Sequence, residues 1–199
     1  MSANLCIETI CVENRQLKNA SYHDARLNKT RGDLWGYTDT WKLTDLPIPD
    51  YVTDERHKLR IVYSKEIEDI RWELHVPRNT QSIKKVYDNE VDYTYKYNDR
   101  TRLNNLFEQR GPADEILIIK NGMVTDSFYC NAAFFDGKKW VTPTTNLLPG
   151  TQRAFLLDSK IIEEAEIPEN HIANYSHIRL FNALVDWDRA VELEIGLIV

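Results

Sequence analysis

Cysteine is scarce in this sequence, and a long apolar run is missing. Three of the 199 residues are cysteines (Cys6, Cys11 and Cys130), and none forms a CxxC or Cys/His metal pattern. A sparse, odd set of cysteines, together with a start that lacks the features of a secretory leader, predicts reduced thiols and a cytoplasmic protein. No run approaches the roughly 18 to 20 apolar residues that cross a bilayer, so we expect no membrane partner.

Positive charge is also in short supply. The chain has 25 basic and 31 acidic residues, which gives a formal net charge of -6. This balance opposes non-specific attraction to nucleic acid or to anionic lipid, and we predict neither as a partner. Any anionic ligand must therefore be captured by donors gathered locally.

The apolar content and its spacing predict the fold class. Hydrophobic residues make up 42% of the chain, enough for a sizeable core. Alternating segments and helical segments both occur, and we see no internal repeat or flexible linker. The sequence predicts an α+β protein of two packed lobes: a small lobe with an antiparallel sheet over residues 1–90, and a larger, mostly β lobe with helices over residues 91–199.

Local patterns place several elements. Residues 5–12 are predicted as a strand, followed by a helix over residues 22–35 that Ser21 caps. Residues 82–87 and 91–97 are predicted as further strands of the first antiparallel sheet, and residues 100–110 as a helix. Asn121-Gly122 and Asp136-Gly137 predict tight hairpin turns in a three-strand meander. Helices are predicted over residues 153–162 and 170–184.

Two residues stand out for their chemistry. Lys96 lies where the predicted strand over residues 91–97 ends, and a desolvated lysine there can act as an amine nucleophile that forms a Schiff base. Asp126 lies in an otherwise apolar strand, where an acid is costly unless it faces solvent or meets a cation. A solvated surface position is the ordinary alternative for each.

Two further features favour anion binding. The segment PGTQR, from Pro149 to Arg153, leads into a predicted helix, and free amides at a helix start can cradle a phosphate. Arg26 could offer its guanidinium to the same anion. An ordinary loop with a helix cap, and a surface ion pair, are the simpler explanations.

The order of these motifs resembles the class IV aminotransferase family. These fold-type IV pyridoxal phosphate enzymes include branched-chain and D-amino-acid aminotransferases and aminodeoxychorismate lyase. The segments that carry the resemblance are, in order, IETICVENRQL, HDARL, YKYNDR, GMVTDSFYCNAAFF, VTP and LLPGTQR. The match is dense over residues 92–157 and sparser over the first thirty residues.

The resemblance implies the cofactor and the residues that hold it. Pyridoxal 5'-phosphate would be bound by Lys96 as a Schiff base, and Lys96 would shuttle protons during turnover. Asp126 would stand beside the pyridine nitrogen, where the family has a glutamate. The phosphate would be bound by Arg26 from one side and by Gly150, Thr151 and Gln152 from the other.

Three departures from the family pattern bear on these assignments. Asp126 is one methylene shorter than glutamate. The phosphate loop reads Gly-Thr-Gln-Arg rather than Gly-Ile-Thr-Arg or Gly-Val-Thr-Arg. Roughly a quarter of the expected chain is missing between the Arg26 helix and Lys96, in the lobe that shapes the substrate side, so the substrate stays open.

Several functions are compatible with this pattern. The resemblance implies an enzyme acting on an amino-acid-like substrate, either a lyase that converts 4-amino-4-deoxychorismate to p-aminobenzoate and pyruvate or an amino acid transaminase. It also implies a homodimer. The alternative is an inactive relative that binds the cofactor or a protein. A metal-dependent hydrolase is less favoured, because the five histidines (His23, His57, His75, His171 and His177) lack metal-ligand spacing.

Overall fold

The computed structural model describes residues 5–199, which form strands and helices in both halves of the chain. The strands are β1 Cys6–Glu13, β2 Gln16–Leu17, β3 His57–Tyr63, β4 Ile67–Leu74, β5 Ile83–Tyr87, β6 Glu115–Lys120, β7 Met123–Ser127, β8 Asn131–Phe135, β9 Trp140–Pro143, β10 Ile162–Ala165, β11 His177–Phe181 and β12 Val191–Glu194. The α-helices are α1 Ala20–Trp35, α2 Thr101–Glu108 and α3 Thr151–Asp158. The predicted α+β class is confirmed.

The chain divides into two compact units. Of the described residues, unit 1 contains 5–77 and 95–99, and unit 2 contains 78–94 and 100–199. This division differs from the predicted lobes of 1–90 and 91–199 because β5 pairs in parallel with β6 of unit 2. It also assigns the segment that carries Lys96 to unit 1.

Unit 1 is built on a four-stranded antiparallel sheet in the order β2-β1-β3-β4. Its core joins apolar side chains of β1 and β3 to Leu27 of α1, and Ile10, Leu27 and Leu59 are each fully buried. Burial of this apolar area is the main force that holds α1 on the sheet. This packing also brings His23 and Arg26, which lie one turn apart on α1, to β1.

The ends of α1 are set by residues with positive φ. The helix begins after Asn19, with φ 53°, and ends at Gly36, with φ 74°. The predicted cap at Ser21 is therefore wrong, since the helix starts at Ala20 and Asn19 occupies the cap position. Gly36 closes the last turn by donating its N–H to the carbonyl of Gly32 at 2.9 Å.

Unit 2 holds two sheets. One has the order β5-β6-β7 and the other the order β10-β9-β8-β11-β12. The tight turn at Asn121-Gly122 joins β6 to β7, with φ 52° and 74° at the two residues. The predicted single strand between the two hairpin turns is wrong: a turn from Ser127 to Cys130 divides it, and β7 and β8 belong to different sheets.

Two other element predictions are wrong. Residues 91–97 form no regular strand, and their pairing is limited to an isolated bridge between Tyr97 and Cys6. Residues 170–184, predicted as a helix, contain the end of a 3-10 helix (Glu169–Asn174) and then β11. Ile178, Leu180 and Phe181 of β11 are buried, so sheet pairing and burial override the helical spacing.

None of the helices within residues 5–199 combines the length and the hydropathy of a transmembrane span.

Candidate active site

In unit 1, a buried carboxylate of β1 binds two side chains of α1. Arg26 donates from Nε to Oε1 of Glu8 at 2.9 Å and from Nη2 to Oε2 at 2.6 Å. Nδ1 of His23 lies 2.6 Å from the same Oε2. The side chains of Glu8 and His23 are fully buried, and that of Arg26 is 13% exposed.

The charges of this trio follow from its contacts. Burial alone would raise the pKa of Glu8, but the charge of Arg26 and the hydrogen bonds from His23 and Arg26 outweigh it and lower the pKa to about 2. Burial lowers the pKa of His23, against the effect of Glu8. Glu8 is therefore ionised and His23 neutral at pH 7, so Nδ1 of His23 carries the ring proton and donates a hydrogen bond to Glu8.

Lys96 lies in the segment that passes beside β1. The Ile7 N–H donates to the Lys96 carbonyl at 2.8 Å, and the Asn98 N–H donates to the Leu5 carbonyl at 2.8 Å. Nη2 of Arg60 on β3 donates to Oδ1 of Asn98 at 2.6 Å. These bonds fix the backbone around Lys96, whose charge contributes to the lowered pKa of His23.

The tyrosines near Lys96 have structural partners. The Tyr95 hydroxyl donates to Oδ2 of Asp33 at 3.0 Å, and its ring meets that of Tyr97 edge to face. In unit 2, the Tyr93 hydroxyl accepts from Nη1 of Arg100 at 3.1 Å. These contacts account for the tyrosines as packing and hydrogen-bonding residues.

In unit 2, Asp126 of β7 organises the loop that precedes α3. Its Oδ2 accepts from the N–H groups of Leu147 and Leu148 at 3.1 and 2.9 Å. Its Oδ1 accepts from Nδ2 of Asn131 at 2.9 Å, and the same Nδ2 donates to the Leu148 carbonyl at 3.0 Å. We call the set of Asp126, Asn131, Leu147 and Leu148 the Asp126 clasp.

The clasp also governs the ionisation of its acid. Burial raises the pKa of Asp126 to about 6, although the Leu148 N–H, Asn131 and the charge of Arg153 all act to lower it. Asp126 is therefore mainly ionised at pH 7 while only 6% exposed. The sequence predicted that an acid in this strand faces solvent or meets a cation. The structure shows instead that hydrogen bonds from backbone amides stabilise the buried acid.

Gly150 is required by close approach rather than by backbone conformation. Its φ of -67° and ψ of 143° suit any residue. A Cβ at this position, however, would lie 2.0 Å from Oδ1 and 3.1 Å from Cγ of Asn131. Because Asn131 of the Asp126 clasp occupies this space, only glycine fits at position 150.

The start of α3 has the form of an anion cradle. Thr151 and Gln152 occupy its first two positions and are buried, with 4% exposure each. The N–H groups of a first helical turn point beyond the helix N-terminus, where the helix dipole favours an anion. Behind them, Nη2 of Arg153 donates to Oε1 of Glu164 at 2.6 Å and to the Pro143 carbonyl at 3.0 Å.

The structure gathers the predicted site residues into two groups. Arg26 and Lys96 belong to unit 1, whereas Asp126, Gly150, Thr151 and Gln152 belong to unit 2. The groups present suit a phosphate and a heteroaromatic cofactor: a guanidinium that can bind two oxygens, the first amides of α3 and a buried acid. The individual roles stay predictions.

The motif segments contain Glu8, His23 and Asn131, but sequence reasoning did not predict the hydrogen bonds that these three residues form around Arg26 and Asp126. Glu8 carried a usable signal, since it interrupts the apolar strand LCIETICV as Asp126 interrupts its own strand. The role of Asn131 could not be predicted from local spacing, because one of its partners, the Leu148 carbonyl, lies seventeen residues away. Within residues 5–199, no group of three or more His, Cys, Asp or Glu side chains is placed to hold a metal ion.

Comparison with known proteins identifies the family. The sequence model of amino-transferase class IV matches residues 93–192. An uncharacterised protein of Haemophilus influenzae is 36% identical over 182 residues, covering 89% of this chain and 96% of its own. The chain belongs to the class IV aminotransferase family, and the resemblance found in the motifs is confirmed.

Solved structures agree with the fold. A Haemophilus somnus protein, assigned provisionally as a 4-amino-4-deoxychorismate lyase, is 33% identical with a TM-score of 0.82, covering 94% of this chain and 99% of its own. A hypothetical aminotransferase of Mycobacterium tuberculosis, solved with pyridoxal phosphate bound, is 16% identical with a TM-score of 0.73, covering 96% and 80%. The match with the Haemophilus somnus protein extends over nearly all of both chains, so the two chains are similar in length.

Proposed function

We propose that this protein is a pyridoxal phosphate enzyme that acts on an amino-acid-like substrate, with Lys96 as the residue that holds the cofactor. The observation that carries the proposal is the Asp126 clasp. In the clasp, the buried side chains of Asp126 and Asn131 hold the loop that leads to Gly150 and the start of α3. Burying an acid and an amide is unfavourable, so loop packing alone does not explain them. The arrangement is suited to presenting the backbone amides of α3 to a phosphate.

Each group has a distinct task in this proposal. Arg26 binds the phosphate through its guanidinium, and the amides of Thr151 and Gln152 bind it through the start of α3. Asp126 provides negative charge for the pyridine nitrogen. Its shorter side chain, compared with glutamate, is held rigidly by Asn131.

Lys96 performs the proton transfers. When bound, pyridoxal phosphate supplies an electron sink for the bond that is broken at the substrate. The Lys96 amine holds the cofactor between turnovers and, once displaced by substrate, accepts and returns a proton. The hydrogen bonds that the Ile7 and Asn98 N–H groups donate hold the backbone of the segment that carries this amine.

Between the two reactions of the family we favour the lyase, which converts 4-amino-4-deoxychorismate to p-aminobenzoate and pyruvate. The pattern from Lys96 to Arg100 is lyase-like, and the 33% identical relative bears a provisional lyase assignment. An amino acid transaminase is the second candidate. The lyase needs no second substrate, whereas the transaminase needs an oxo acid to complete its cycle.

This difference gives a direct assay. Protein loaded with pyridoxal phosphate is incubated with 4-amino-4-deoxychorismate alone, and p-aminobenzoate fluorescence and pyruvate are measured. We expect both products in equal amounts over many turnovers, and none from the Lys96→Ala variant. Turnover with amino acids only when an oxo acid is added would favour the transaminase, and no turnover with any substrate would contradict the enzymatic proposal.

We also propose a homodimer. The edge strand β4 and the residue two positions beyond it expose large apolar side chains, with Leu74 55% and Val76 76% exposed. Apolar surface of this kind is commonly covered by a second subunit. Light scattering of the purified protein should give twice the mass of 23.3 kDa, and a monomer at all concentrations would contradict the proposal.

A further inference from the structure

The buried carboxylate of Glu8 has a geometry suited to positioning rather than to catalysis. It is fully buried in β1 and accepts hydrogen bonds from Arg26 and His23 at 2.6 to 2.9 Å. A buried ion of this kind is costly, and replacing it with apolar side chains is often neutral or stabilising. A role beyond holding α1 on the sheet would explain its presence.

The fork between Glu8 and Arg26 fixes the guanidinium in both place and rotation. Nε and one Nη donate to the two carboxylate oxygens, so the plane of the guanidinium is locked to that of the carboxylate. The fork occupies the edge of the guanidinium formed by Nε and Nη2, and it directs the end-on edge away from Glu8. A lysine could not be held in this way.

His23 fixes the carboxylate in turn. His23 and Arg26 are three residues apart on α1 and share a face of the helix. Nδ1 of His23 binds Oε2, the oxygen that also accepts from Nη2 of Arg26. The carboxylate therefore cannot rotate without breaking a buried hydrogen bond.

We propose that Glu8 is a positioning residue that aims the Arg26 guanidinium at the cofactor phosphate, with His23 fixing Glu8. The inference rests on the proposed function, since it assigns Arg26 to a phosphate. Glu8 itself does not touch the phosphate. Its negative charge cancels that of Arg26, so the pair acts through directed hydrogen bonds rather than through net charge.

The test separates phosphate recognition from folding. Pyridoxamine 5'-phosphate and pyridoxamine share a ring and bind without a covalent link to Lys96, and they differ in the phosphate alone. Their dissociation constants are measured by calorimetry for the unmodified protein, for Glu8→Gln and for the matched control Glu13→Gln. Glu13 lies on the same strand and is paired with Arg56 at 3.3 Å.

We expect Glu8→Gln to weaken binding of the phosphorylated ligand by about tenfold or more, the change that corresponds to about 1.4 kcal/mol. Binding of pyridoxamine should change by less than about twofold, because its contacts do not include Arg26. Glu13→Gln should leave both constants unchanged. Equal weakening of both ligands by Glu8→Gln, or weakening of neither, would overturn the inference.

A second variant keeps the test decisive if Glu8→Gln does not fold. Arg26→Lys retains the cation but cannot form the fork, so it should also lose the preference for the phosphorylated ligand by about tenfold. A preserved preference in this variant would overturn the inference. Borohydride trapping of pyridoxal phosphate on Lys96 tests the proposed function separately, because failure there leaves the calorimetric comparison readable.

Discussion

Glu8 and Asp126 are both carboxylates buried in strands, yet their surroundings move their pKa values in opposite directions. Glu8 meets the cation of Arg26, and its pKa falls from 4.5 to about 2. Asp126 meets neutral amides, and burial raises its pKa from 3.8 to about 6. The two acids therefore contribute to stability in different ranges of pH.

The sign of each contribution follows from proton linkage. The stabilisation from Glu8, whose pKa is depressed on folding, is complete above pH 4.5 and is lost as the pH falls towards 2. The contribution of Asp126, whose pKa is raised, is complete below pH 3.8 and is lost as the pH rises through about 6. Acidification below pH 4.5 thus weakens unit 1 through Glu8.

The Glu8→Gln variant should expose this pH dependence. At neutral pH we expect it to lower the free energy of unfolding by about 3 to 5 kcal/mol, because Arg26 loses its buried partner. The deficit should shrink as the pH falls below 4.5, where the unmodified protein loses the same contribution. Urea denaturation of both proteins across this range measures the difference, and a deficit independent of pH would contradict the assignment.

Gly150→Ala should disrupt the Asp126 clasp. The added Cβ would lie 2.0 Å from Oδ1 of Asn131, so the amide must move and release Asp126 or Leu148. We expect a loss of about 1 to 3 kcal/mol in stability and weaker binding of pyridoxal phosphate. Gly196→Ala is the control, since its Cβ would meet nothing within 4 Å. Equal melting temperatures and cofactor affinities for the two variants would refute the close approach.

At the scale of elements, local signals specified some features and tertiary packing decided others. Asn121 and Gly122 predicted the β6–β7 turn because positive φ is a property of the residues themselves. The helical spacing of residues 170–184 failed, since Ile178 and Leu180 are buried by pairing of β11 with β8 and β12. Pairing between distant strands leaves no local mark in the sequence.

In the segment that carries Lys96, too, local sequence signals did not predict the structure. Its tyrosines and β-branched residues predicted a strand, but Asp92 accepts from the Thr94 N–H at 3.0 Å and starts a bend instead. The backbone then forms hydrogen bonds with Ile7 of β1 and with Leu5, which precedes β1. The motif located the candidate lysine, whereas the contacts that hold it come from residues far away in the chain.

Arg60→Met should loosen this segment without unfolding the sheet. Arg60 donates to the side chain of Asn98 at 2.6 Å, and methionine retains the apolar stem but not the donor. We expect amide hydrogen exchange over residues 95–99 to speed up by about tenfold, while β1 and β3 keep their protection. The control is Arg71→Met on β4, where the arginine is exposed and pairs with Asp69. Unchanged exchange in the Arg60 variant would show that this bond does not restrain the segment.

For the whole molecule, the candidate residues fall into two separate units. Lys96 and the Glu8–Arg26 fork lie in unit 1, and the Asp126 clasp and the start of α3 lie in unit 2. Membership of the class IV aminotransferase family, found from ordered motifs, is confirmed by the match over residues 93–192. The substrate could not be predicted, because motifs for a cofactor do not encode the pocket beside it.

The proposed role of Lys96 as the residue that holds pyridoxal phosphate can be tested directly. The protein is incubated with the cofactor, reduced with borohydride, digested and mapped by mass spectrometry, beside the Lys96→Ala variant and a control in which the surface residue Lys139 is replaced by alanine. We expect one reduced adduct, on Lys96, that is retained in the Lys139 control and lost from the Lys96→Ala variant. An adduct on another lysine, or equal labelling of the Lys96→Ala variant, would contradict the proposed role of Lys96.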